Sequence, residues 1–66
     1  MIITRHRTAG QIIKGMNIIW EDDLWLVESS TVDGYHMEIV VYNGRTGSND
    51  EISCGIDTVI YSVSSV

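Results

Sequence analysis

Apolar residues in this chain come in short runs separated by glycine: Gly10, Gly15, Gly34, Gly44, Gly47 and Gly55 divide it into pieces of strand length, and proline is absent. The clearest unit is a hairpin in which residues 17–20 and 24–30 flank Glu21-Asp22-Asp23. A two-residue loop at Asp22 and Asp23 sets Trp20 opposite Trp25 and Ile18 opposite Val27 on a candidate core face. Ile19 and Leu26 then pair on the other face, because side chains alternate with a period of two.

The next turn contains Asp33-Gly34. A two-residue loop there pairs Val27 with Val40 and turns His36 and Glu38 into the core, which is costly without partners. A three-residue loop over 32–34 is preferred: it pairs Val27 with Ile39, Trp25 with Val41 and Ser29 with Met37. His36, Glu38, Val40 and Tyr42 then face outward beside Glu28, Leu26 and Leu24. Residues 43–50 read as a polar connection, followed by strands over 51–54 and 58–63 around a turn at Gly55-Ile56-Asp57. Ile52, Cys54, Val59, Tyr61 and Val63 are expected to complete the core. Thr8 and Gln11 have capping-box spacing, which predicts one short helical turn.

The segments Gln11-Ile12-Ile13-Lys14-Gly15-Met16-Asn17-Ile18, Leu24-Trp25-Leu26-Val27-Glu28 and Tyr42-Asn43-Gly44-Arg45-Thr46-Gly47 resemble the N-terminal SH3-like (KOW-type) barrel of bacterial elongation factor P, over roughly residues 8–54. The resemblance implies an all-β fold: a small SH3-like barrel of five or six strongly bent antiparallel strands. In that family a loop lysine, often modified, reaches toward the ribosome. The matching connection here, residues 31–34, is shorter and carries no lysine, so translation-factor activity does not carry over.

A chain of 66 residues predicts a single domain, 1–66, that buries only about 60% of its unfolded surface. The lone Cys54 makes no intramolecular disulfide, which suits a reducing, cytoplasmic setting, in the host if the chain is phage-encoded. Neither a signal peptide nor a membrane-spanning run is expected. Nine acidic against four basic residues give a net charge of −5, so generic nucleic-acid binding is disfavoured. Arg5, Arg7 and Lys14 form a positive N-terminal segment, read as solvated.

Candidate chemistry is sparse. Cys54 with His6 or His36 is the one conceivable nucleophile and base, yet Cys54 falls at an inward position and reads as a small buried hydrophobe. Glu21-Asp22-Asp23 diverge at a tight turn and make a poor cation site, and the two histidines lack zinc-ligand partners. Neither Lys-Ser/Thr nor a helix follows Gly44-x-x-Gly47, so it is no phosphate loop. No catalytic group, metal or cofactor is expected. Trp20 and Trp25 read as core rather than as an open peptide platform.

More informative is the outward set Ile19, Leu24, Leu26, Val40 and Tyr42. Contiguous exposed apolar surface marks association, unless an N-terminal segment with Ile2, Ile12 and Ile13 folds across it. The leading expectation is a non-catalytic module that binds another protein through this face, or a second copy as a homodimer. Its size suits a phage-encoded inhibitor or accessory protein. The alternative is a nucleic-acid-directed role: RNA bound at the positive N-terminal end, or mimicry of nucleic acid by Glu21, Asp22, Asp23, Asp50 and Glu51, helped by Glu28, Asp33 and Glu38.

Overall fold

The structure, a computed structural model, describes residues 1–65. Its first turn sets the frame. Glu21 and Asp22 both take positive φ, 50° and 62°, the requirement of the tight hairpin turn whose twist matches the flanking strands. The loop is therefore Glu21-Asp22 rather than Asp22-Asp23, joining β2 (Asn17–Trp20) to β3 (Asp23–Asp33). Asp23 is already in the ladder, opposite Trp20, so Ile18 faces Trp25 and Ile19 faces Leu24. The expected Trp20–Trp25, Ile18–Val27 and Ile19–Leu26 pairs are each corrected by two residues. A shift of two preserves the faces, so Ile18 is buried and Ile19 exposed as expected.

Left-handed backbone costs roughly 1–2 kcal/mol per ordinary L residue. Replacing Glu21-Asp22 by Asn-Gly is accordingly expected to raise stability by about 1 kcal/mol, read as a higher urea midpoint.

β3 and β4 (His36–Asn43) meet through Gly34-Tyr35, with Gly34 at φ 62° and Asp33 opposite His36. This corrects the three-residue loop. Val32 faces Met37, Ser30 faces Ile39 and Ser29 faces Val40; a bulge at Glu28 then changes the register, so that Val27 faces Val41 and Leu26 faces Tyr42. The bulge absorbs the residue assigned to the loop, and β4 keeps its expected faces: Met37, Ile39 and Val41 are buried.

β5 (Ser48–Gly55) starts three residues earlier than the sequence pattern suggests and pairs with β4 along its whole length. The N-terminal segment read as solvated is a strand, β1 (Ile2–Thr8), paired throughout with β6 (Val59–Ser65). Between β1 and β2, Ala9–Gln11 form a single 3-10 turn, and the Thr8 N–H donates to Gln11 Oε1 at 3.1 Å, as the capping box predicts.

β6 also reverses an expectation. Ile60 and Ser62 are its buried residues, while Val59 and Tyr61 are 46% exposed and Val63 is half-buried. The run Val59-Ile60-Tyr61 is apolar in both phases, so alternation alone could not choose. Pairing chose: Ser62 lies opposite the buried Ile18 of β2.

Six antiparallel strands thus form one sheet in the order β1-β6-β2-β3-β4-β5. The fold is all-β, but the sheet does not close into a barrel; β1 and β5 are its edges. It is nevertheless curled. In a flat sheet β5 and β6 would stand four strand spacings apart, about 19 Å, whereas the four chain steps from Gly55 to Val59 reach at most about 14 Å. Ile56 fastens the curl: its N–H donates to the Tyr35 carbonyl at 2.9 Å, and its carbonyl accepts from the Gly10 N–H at 2.9 Å. Ala9, Ile12, Ile18, Val27, Met37, Ile39, Val41, Ile52 and Ile60 fill the concave side, with Met16, Trp20, Trp25, Cys54 and Ile56 packed against them. Among the described residues no helix is long and apolar enough to cross a membrane.

Candidate interaction surface

Alternation along each strand leaves a second, convex face. Ile19 of β2 stands between Tyr61 of β6 and Leu24 of β3, Val63 of β6 stands beside Thr4 of β1, and Leu26 stands beside Tyr42 of β4. Of the five residues predicted to face outward, Ile19, Leu24 and Leu26 are 39%, 52% and 41% exposed, and Val40 and Tyr42 are half-buried. The covering segment is not there. Ile12 lies in the core on the opposite side, Ile13 is exposed elsewhere, and Ile2 joins the rim of the face, 72% exposed.

The reversed phase of β6 enlarges the face beyond the predicted set. Tyr61 and Val63 belong to it, and His6 of β1 meets the Tyr61 ring edge-on with centroids 5.5 Å apart. Ile2, Thr4, Ile19, Leu24, Val63, Asp22 and Asp23 surround a hollow of about 420 Å³. The run Val59-Ile60-Tyr61, apolar in both phases, is the sequence signal for Tyr61.

Compared with family models, with curated proteins and with solved structures, the chain matches none of them.

At the hairpin end of the face lies a polar knot. Asn43, 1% exposed, donates from Nδ2 to Asp23 Oδ2 at 2.8 Å and accepts the N–H groups of Arg45 and Thr46 on Oδ1 at 2.9 and 3.3 Å. The Arg45 guanidinium binds Asp23 Oδ2, and the Leu24 N–H donates to Asp23 Oδ1 at 2.9 Å. These donors, Arg45 first, hold the Asp23 carboxyl down at about 2. A carboxyl lowered on folding from 3.8 binds protons more weakly in the folded than in the unfolded chain. Its contribution to stability is present above pH 4 and is lost as pH falls toward 2. Asp23→Asn is expected to flatten that part of the profile, measured as urea midpoints between neutral pH and pH 2.

The acidic residues do not form one strip. Asp23 is neutralised by Arg45, Asp50 and Glu51 alternate to opposite faces of β5, and Glu21 and Asp22 occupy the β2–β3 turn. Glu51 lies near Glu38 on the convex face; contact with the neighbouring carboxylate pushes Glu51 up, while contacts with Glu51 and His36 lower Glu38. Ionised, Glu51 repels Glu38. Glu51→Gln is therefore expected to stabilise the chain at neutral pH and to lose that advantage as pH falls and Glu51 takes up its proton, again by urea midpoint.

His36 Nε2 lies 2.6 Å from Ser53 Oγ and 3.2 Å from Glu38 Oε1. Both partners address the same ring nitrogen. A hydrolytic relay needs the carboxylate on the other nitrogen, so this cluster has no nucleophile-activating geometry. Cys54 is half-buried against the core, and Trp25 Nε1 donates to the Trp20 carbonyl at 3.1 Å while both rings pack on the core. No group of His, Cys, Asp and Glu suited to a metal ion occurs among the described residues.

Proposed function

We propose that this chain is a non-catalytic module that binds another protein through its convex face, centred on Ile19, Leu24 and Leu26 and extended by Tyr61 and Val63. The observation that carries this reading is the uncovered apolar row across β6, β2 and β3, in a chain too small to expose such surface without consequence. The partner is a protein surface with an apolar ridge. Basic flanking residues would suit it, since Glu28 beside Asn49, Glu38 and Glu51 border the row on the β4–β5 side. An inhibitor or accessory protein of the kind phages encode, acting in a reducing cytoplasm, fits the small acidic chain and its lone thiol. An SH3-like reading is supported by the β2-β3-β4-β5 meander with β6 returning beside β2, with β1 as an addition.

Capture of partners by wild type and by Leu26→Asp, at low salt and at roughly 1 M salt where screening falls to about 3 Å, tests the proposal. The partner should survive high salt with wild type and be lost with the folded Leu26→Asp variant. A partner released by salt and indifferent to Leu26→Asp would instead favour acidic mimicry.

A further inference from the structure

The two edges of the sheet differ in charge. β1 carries Arg5, His6 and Arg7, and β5 carries Asp50 and Glu51. Among the described residues neither Arg5 nor Arg7 pairs with a carboxylate: Arg7 Nε donates only to Ser62 Oγ at 3.2 Å, and the ion pairs lie at His36–Glu38 and Arg45–Asp23. Asp50 receives only the Glu51 N–H, at 2.8 Å. Each edge also offers the outward backbone amides and carbonyls of alternate residues along a strand of seven or eight, a template for another strand.

Strand directions decide how copies could meet. Neighbours alternate through all six strands, so β1 and β5 run in opposite senses. A second copy in the same orientation can therefore set its β5 against β1 of the first as one more antiparallel pair. Matching faces as well as directions allows a register in which Arg7 lies opposite Asp50 on the concave side and His6 opposite Glu51 on the convex side, with Thr4 opposite Ser53. The rival arrangement is poorer: β1 paired with β1 over its full length sets Arg5 against Arg5.

We propose that copies of this chain join head to tail, β1 of one against β5 of the next, through Arg7–Asp50 and His6–Glu51 contacts. The interface is heterologous, so repetition gives a ring where the rotation closes and a filament where it does not. It uses the sheet edges and leaves the convex face open, so it stands or falls separately from that face's partner.

Sedimentation or light scattering of the full chain over a dilution series at low salt is the test. The expected result is a multiple of the 7.4 kDa chain mass for wild type, and monomer for Arg7→Glu and for Asp50→Lys, each folded by circular dichroism. Mixing those two variants in equal amounts should restore assembly, because each then meets the opposite charge. Leu26→Asp should assemble like wild type. A wild-type monomer at every concentration, an oligomer that withstands Asp50→Lys, a mixture of folded variants that stays monomeric, or dissociation by Leu26→Asp would overturn the proposal.

Discussion

Ile39→Ala is expected to cost the chain about half of its stability. Ile39 is fully buried, lies between Ser30 of β3 and Ile52 of β5, and belongs to a core of nine side chains. Truncating a buried isoleucine costs about 2–5 kcal/mol, through lost transfer energy and the cavity left behind. At the usual 0.05–0.15 kcal/mol per residue, a chain of 66 residues has a total stability of roughly 3–10 kcal/mol. The loss takes about half of it. Urea unfolding followed by the fluorescence of Trp20 and Trp25 measures the effect, and Ile39→Val, expected to cost about 1 kcal/mol, keeps the comparison on a folded protein. A loss below about 1 kcal/mol for the alanine variant would mean that the curled sheet does not enclose this position.

Asn43→Ala comes next, at about 2–3 kcal/mol. One side chain serves three partners at the end of β4: it donates to Asp23 and accepts two amides of the loop that leads into β5. Alanine removes the acceptor of those two part-buried amides and deprives Asp23 of a donor, and an unmet buried polar group costs about 1–3 kcal/mol. Hydrogen exchange reads the mechanism directly. The Arg45 and Thr46 amides should lose protection by more than the global destabilisation explains, whereas uniform loss across the sheet would mean that Asn43 contributes only general packing.

The core of β2 through β4 was legible because parity survives errors in loop assignment. The hairpin register slid by two and the β3–β4 loop was misassigned, yet Ile18, Val27, Ile39 and Val41 stayed inward. A slide of two preserves facing, and the bulge at Glu28 repaired the other discrepancy. β6 could not be read in the same way, since Val59, Ile60 and Tyr61 satisfy either phase and only the cross-strand neighbours Arg7 and Ile18 distinguish them. β1 was hidden for a different reason. An edge strand has one ladder and little burial, so Arg5-His6-Arg7 carries the polarity of a solvated segment. For the convex face, Ile19, Leu24 and Leu26 were visible as the outward phase of a clear hairpin, while Tyr61 and Val63 became visible only once β6 was placed.

The position of β6 between β1 and β2 also governs the order in which the molecule can be built. β2 to β5 form a meander of neighbours in sequence, whose pairings can form as the chain emerges. β1, although made first, has no partner until the last strand arrives, and its ladder joins residues at opposite ends of the chain. Closing so long a loop places the molecule among slower folders, those dominated by distant contacts. In the interval the basic first strand and the β2 edge both remain open, so the nascent chain passes through a stage in which its most adhesive surfaces are the ones the finished sheet conceals.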